Sequence, residues 1–262
     1  MELSVAGRKA FFSTGGKPFD PVHPTVVFLH GAGMDHTEWM LQARFFAHHG
    51  RGVLAVDLPG HGRSAGPALR SIGELADWVV QLLDAAKVER AALVGHSMGA
   101  LIALETAARA PARVWALGLL GASARMSVHP DLQKAADANE GAAADLVASW
   151  GFGRRAHVGG AKAPGIWMLG SGLRLLQRSP DGTLAAGLAA CSAYTSALEA
   201  AAKVTCPTLL LLGEADRMTP PRAARDIAAR IPEARTVVLP RAGHMMMVEQ
   251  PDRTIDALAE IV

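Results

Sequence analysis

The chain has only two cysteines in 262 residues, Cys191 and Cys206. Two are too few for a disulfide framework, and neither stands in a C-x-x-C pair suited to metal binding or thiol exchange. Charge is not gathered into blocks. The 26 Lys and Arg are nearly balanced by 24 Asp and Glu, for a net +2, and both signs are scattered along the sequence. Nucleic acid is therefore not expected as a partner, despite a pI near 8.7. No apolar run reaches the length of a membrane span, because the longest, residues 91–104, contains His96 and is soon interrupted by Glu105 and Arg109. The N-terminus carries Glu2 and then Arg8-Lys9 with no apolar stretch behind them, which is not a signal-peptide pattern. There is no repeat and no low-complexity tract beyond an alanine bias. These absences point to a soluble, cytoplasmic protein and leave its oligomeric state open.

Half of the residues are hydrophobic and 19% are charged. At this length such a composition can bury the core of one large domain. Six short runs are almost continuously apolar: Val26 to Leu29, Val53 to Val56, Ala91 to Val94, Trp115 to Leu120, Thr208 to Leu212 and Thr236 to Leu239. Apolar residues on both faces of a strand suit a parallel sheet covered on both sides. Helix-length segments separate the runs. Ser71-Ile-Gly-Glu74 opens one with a capping box, Pro111 follows the end of another, Pro220-Pro221 begins one expected to reach Ile231, and Pro251 starts the last. Leu3 to Thr14, broken near Gly7, reads as an antiparallel hairpin at the sheet edge. The alternation predicts an α/β fold with a mostly parallel, doubly wound sheet.

Residues 123 to 203 break the rhythm. They contain no clear strand, and helices are expected over Leu132 to Trp150 and Leu184 to Ala202. An insertion of that length is often functional. The predicted organisation is a core domain of residues 1–122 and 204–262 with a helical lid of residues 123–203.

Gly95-His96-Ser97-Met98-Gly99 fits G-x-S-x-G, a common string whose context decides its meaning. Here a strand precedes it and a helix follows, so Ser97 falls on the sharp turn of a nucleophile elbow. A serine hydroxyl needs a base to take its proton, and the base needs an orienting acid. Two downstream segments offer them at the C-terminal edge of the sheet: Gly213-Glu-Ala-Asp216 after one strand and Gly243-His244 after the next.

With His30-Gly31-Ala32-Gly33 and Asp57-Leu-Pro-Gly-His-Gly-Arg-Ser64, these pieces stand in an order that resembles the α/β-hydrolase superfamily, in particular its serine esterases. The resemblance covers nearly the whole chain except residues 123–203. It implies Ser97 as nucleophile, His244 as general base, and Asp216 as the acid that fixes the imidazole tautomer. It implies an oxyanion hole made by the N–H groups of Ala32 and Met98, each such donor contributing about 3 kcal/mol to the transition state. It further implies a small acyl substrate and water as reactants, with the insertion covering the site.

Several residues carry alternative readings. Glu214 is a second candidate for the orienting acid, whereas Gly121-Ala-Ser-Ala124 offers no carboxylate one strand earlier. His30, His61 and His96 read as hydrogen-bonding loop structure, Asp57 as the holder of the Pro59-Gly60 turn, and Glu249 as a solvated or capping acid. Met34, Trp150, Trp167 and Met245 are candidates for the substrate pocket, with packing under their own loops or inside the insertion as the alternative. Gly60-x-Gly62-x-x-Ala65 is rejected as a dinucleotide fingerprint, since no acid ends a second strand at the right distance. No metal-ligand spacing or phosphate loop occurs, so no cofactor is expected. The expected activity is cofactor-free hydrolysis of a small, fairly apolar ester or related acyl compound. Carbon–carbon bond hydrolysis, lactone hydrolysis and perhydrolysis on the same residues remain alternatives, as does a ligand-binding receptor or scaffold with little turnover.

Overall fold

All six apolar runs become strands of one sheet, each within a residue or two of its expected bounds. The structure is a computed structural model that describes residues 1–161 and 165–262. Its strands are β1 (Glu2–Val5), β2 (Arg8–Ser13), β3 (Thr25–Leu29), β4 (Gly52–Val56), β5 (Ala91–His96), β6 (Val114–Leu120), β7 (Thr208–Gly213) and β8 (Arg235–Leu239). They lie in the order β1-β2-β4-β3-β5-β6-β7-β8. The hairpin β1–β2 is antiparallel and joins β4 antiparallel. Every pairing from β4 to β8 is parallel.

Strand geometry sends successive side chains to opposite faces. Val27, Leu29, Leu93, Leu117, Leu119 and Leu210 enter one buried cluster. Their neighbours Val26, Phe28, Ala92, Val94, Leu120 and Leu209 enter the other. The helices are α1 (Met40–His48), α2 (Ile72–Ala85), α3 (Met98–Arg109), α4 (Pro130–Asp137), α5 (Gly141–Gly151), α6 (Arg154–His157), α7 (Met168–Gln177), α8 (Thr183–Ala193), α9 (Ala197–Ala201), α10 (Arg225–Ala228), α11 (Met246–Glu249) and α12 (Pro251–Ala259). Helices α2 and α3 cover the first face, and α1 and α12 the second. The Ser71 hydroxyl accepts from the Glu74 N–H at 3.1 Å, and the Glu74 carboxylate accepts from the Arg70 N–H at 3.3 Å, so the capping box opens α2.

Three expectations need correction. Strand β8 is not covered on both faces: Arg235, Thr236 and Val238 are exposed because it is the edge strand. The helix expected to reach Ile231 is a 3-10 turn, Pro221–Ala224, followed by α10 alone. Pro232 disfavours helical backbone at the residue before it. The long helices of the insertion are divided in two, α4 from α5 at Asn139 with φ +52°, and α8 from α9 at residues 194–196.

Candidate active site

The elbow follows from its glycines. Ser97 has φ +54° and ψ −115°, a backbone conformation that costs a side-chain-bearing residue about 1–3 kcal/mol and persists only where surroundings enforce it. Here its N–H is held by the Leu120 carbonyl at 2.9 Å. A Cβ on Gly95 would stand 2.0 Å from the Gly99 carbonyl oxygen, and one on Gly99 would stand 2.1 Å from the Leu29 oxygen. Helix α3 can close on β5 only with glycine at 95, and on the end of β3 only with glycine at 99. The Asp216 and His244 loops meet in the same way, since a Cβ on Gly213 would lie 2.0 Å from the Gly243 oxygen. The Ala215 N–H donates to the Ala242 carbonyl at 2.8 Å across that contact.

Asp216 and His244 are both buried, and His244 Nδ1 donates to Asp216 Oδ2 at 2.7 Å. The other carboxylate oxygen accepts from the N–H groups of Met218 and Thr219, each at 2.8 Å, and the Thr219 hydroxyl donates to Oδ2 at 2.8 Å. Burial pushes the Asp216 carboxyl up, but the attraction and hydrogen bond of His244, with the Thr219 bonds, hold it below its ordinary value. For His244 burial pulls down, and the Asp216 carboxylate outweighs it, with smaller help from Glu38 and Glu249; the imidazole lies above its ordinary value. Glu214 is exposed and accepts from the Arg241 N–H instead. Gly121, at φ +59°, leaves room for the imidazole: a Cβ there would sit 2.9 Å from His244 Cε1.

His244 Nε2 is buried and has no hydrogen-bond partner among the described residues. It and Ser97 line one cavity of about 440 Å³ at the C-terminal edge of the sheet, and no hydrogen bond between the two side chains is closed in this conformation. Ala32 lines the same cavity, and the backbone N–H groups of Ala32 and Met98 donate to no other group among the described residues. In apo sites such bonds are often long and tighten when substrate is bound.

Of the expected pocket residues, Trp150 lines this cavity. Met34 does not; it is buried in the core cluster that holds Phe28 and Trp39. Trp167 is 62% exposed, with its ring against Gly170. Met245 faces a separate cavity of about 550 Å³ lined by Phe152, Met168 and Met247. Met126, Val128, Leu132, Leu188, Cys191 and Met218 take the places around Ser97 instead. Their side-chain directions depend on how the insertion packs, which no local pattern reveals. Thr219 was missed too, although a threonine three residues after an aspartate is a turn signature that was open to reading.

The loop histidines are tied down as expected. His30 Nε2 accepts from the Leu58 N–H at 3.1 Å, and burial pulls His61 down to about 3. Asp57 is structural as expected: its carboxylate accepts from the Arg63 N–H across the Pro59-Gly60 turn and also from the His36 N–H and His36 Nδ1, each at 2.8 Å. Asp35, His36 and Asp57 bring ligand-type atoms within 4.8 Å of one another. Those atoms are already engaged, Asp35 with Thr37 and Arg178, and Asp57 with His36. Glu249 is neither solvated nor a simple cap: its two oxygens accept from the N–H groups of Gly153 and Gly243, each at 3.0 Å.

This fold and this loop arrangement are those of the alpha/beta hydrolase family, whose family model matches residues 26–257. The chain belongs to that family and is a hydrolase. It is 32% identical to the pimeloyl-[acyl-carrier protein] methyl ester esterase of Chromobacterium violaceum over 251 residues, 90% of this chain and 93% of that protein. It is 38% identical to the dihydrolipoyllysine-residue acetyltransferase component of the acetoin cleaving system from Pseudomonas putida, over 47% of this chain; the chain spans 32% of that longer protein. Among solved structures, the enol-lactonase from Burkholderia xenovorans LB400 superposes with a TM-score of 0.86 at 24% identity, covering 100% of this chain and 99% of that one, a likeness of fold. No helix among the described residues is long and apolar enough to cross a membrane.

Proposed function

We propose that the protein is a serine hydrolase that cleaves a small, fairly apolar ester or related acyl compound through an acyl-enzyme on Ser97, His244 and Asp216. The observation that carries this reading is the buried imidazole of His244, anchored at Nδ1 by Asp216 at 2.7 Å and left with Nε2 free beside Ser97 in one cavity. Asp216 accepts from Nδ1–H, so Nε2 carries the lone pair that takes the Ser97 proton. The Ser97 oxygen then attacks the acyl carbonyl, and the Ala32 and Met98 N–H groups hold the tetrahedral oxyanion. The imidazolium returns its proton to the leaving group as the carbon–oxygen bond breaks. Water enters, gives a proton to His244 and its oxygen to the acyl carbon; as the bond from that carbon to the Ser97 oxygen breaks, the imidazolium returns the proton to Ser97.

Residues 123–203 form the lid in this reading. Leu132, Trp150, Leu188 and Cys191 come from that segment and line the cavity, and Gly187 of α8 lies against Ala32 and Met98. The mostly apolar lining and modest volume favour a short acyl group. A fluorophosphonate probe tests the reading: native protein should be labelled at Ser97 and S97A should not. Turnover of p-nitrophenyl acetate, butyrate and octanoate should fall at the longest chain. S97A and H244A should each lose about 10⁴-fold in kcat and the double variant little more, because such residues act as a unit. Unlabelled native protein would remove the proposal.

A further inference from the structure

Three chain segments must stay in register for that chemistry: the Ala32 loop, the elbow, and the His244 loop. One buried pair touches all three. Glu38, 4% exposed, lies in the 3-10 turn His36–Trp39 that follows the Ala32 loop. Its Oε2 accepts from the Gly31 N–H at 3.0 Å, one residue before Ala32. Its Oε1 lies 2.5 Å from Nδ1 of His96, the residue before Ser97. His96 is 1% exposed, and its Nε2 lies 3.0 Å from the His244 carbonyl oxygen. Its ring packs on the His244 ring with centroids 4.5 Å apart. The His244 main chain is thus held at both ends, since its N–H donates to the Gly151 carbonyl at 2.6 Å.

A carbonyl only accepts, so Nε2 of His96 must carry a proton. Its Nδ1 faces the Glu38 Oε1 at 2.5 Å, a close buried contact between the two side chains. From this geometry we infer that Glu38 and His96 form a positioning hub that sets the Ala32 loop, Ser97 and the His244 main chain in mutual register. Neither residue lines the cavity that holds Ser97, and neither exchanges a proton with substrate. The inference rests on the serine-hydrolase reading for its effect on turnover, but not for its effect on the loops.

Two conservative variants separate reach from charge. In E38Q the amide oxygen can accept from Gly31 and the amide N–H can donate to Nδ1 of a neutral His96, whose Nε2–H still reaches His244. In E38D the charge remains, but the side chain is one methylene too short to span both partners. E38D should lose about 10- to 100-fold in kcat on p-nitrophenyl butyrate, in line with the cost of small misplacements in a preorganised site, with KM within about twofold. E38Q should recover to within about threefold of native kcat. Amide hydrogen exchange supplies a readout that needs no turnover: residues 30–34 and 242–248 should exchange faster in E38D and not in E38Q. E38D exchanging as native does, or E38Q as impaired as E38D in both assays, overturns the hub. If the exchange pattern holds while native Ser97 refuses the fluorophosphonate, the hub stands and the serine reading falls.

Discussion

Replacing Asp216 by asparagine perturbs the site with almost no change of shape. The amide oxygen of the D216N side chain would keep the N–H groups of Met218 and Thr219, both now at 2.8 Å from Oδ1 of Asp216. The amide nitrogen would then take the place of Oδ2, which today accepts from His244 Nδ1 at 2.7 Å and from the Thr219 hydroxyl at 2.8 Å. An amide N–H donates, so Nδ1 must become the acceptor and the ring proton must move to Nε2, the atom meant to receive the Ser97 proton. The expected loss is about 10⁴-fold in kcat, or about 5.5 kcal/mol of barrier, the size of effect a wrong tautomer has on such a triad. A second consequence has a definite sign. In the proposed mechanism His244 works when neutral, and the Asp216 carboxylate outweighs burial to hold it above its ordinary value near 6.5. Native kcat/KM should therefore climb with pH through a midpoint above 6.5, and the residual activity of D216N should climb at lower pH. Hydrolysis of p-nitrophenyl butyrate from pH 5 to 9, with thermal melting to verify the fold, measures both. D216N within tenfold of native kcat, or an acid limb that stays in place, would refute the reasoning. E214Q, altering an exposed side chain bound to the Arg241 N–H, serves as the control and should remain within about twofold of native, as surface changes usually do.

Two further substitutions test the scaffold. G121A sets a Cβ 2.9 Å from His244 Cε1 at φ +59°, and should lower kcat at least about tenfold and Tm by about 2–8 °C; native-like values of both would show that the contact relaxes freely. D57N should lower stability at pH 7 by about 1–3 kcal/mol, by disturbing the bonds that the buried Asp57 accepts from His36 and Arg63. Burial pushes that carboxyl up, yet the His36 and Arg63 hydrogen bonds hold it below its ordinary value, so its contribution is full above about pH 4 and is lost as pH falls through the folded value. The gap between the urea midpoints of native protein and D57N should accordingly be widest at pH 7 and narrow as pH is taken below about 4; a constant gap would contradict the assignment.

The sheet was legible because burial on both faces writes an unbroken apolar run into each central strand, and Val26 to Leu29 or Thr208 to Leu212 cannot be solvated. Strand β8 misled for the complementary reason, since apolar content alone does not reveal that an edge strand has one open side. Ser97, Asp216 and His244 could be picked out as candidates because each follows a strand beside glycines that a close approach demands. The pocket could not. Trp150 reaches the Ser97 cavity whereas Trp167, of the same residue type and from the same segment, is turned to solvent. Met245, next to His244 in sequence, faces a different cavity.

The order of strands and turns, the elbow, and the identities of the residues at the sheet edge were contained in the one-dimensional pattern, because backbone sterics and strand burial act on neighbours. Which imidazole turns an unpartnered nitrogen to the Ser97 cavity, and which packs between a buried carboxylate and a distant carbonyl, depended on contacts between residues as far apart as His96 and His244, 148 positions along the chain. Glu38 gained its place by the same long-range closure. Contacts of that kind exist only after the loops have met, and only then is one histidine left with an open nitrogen and another made a fastening.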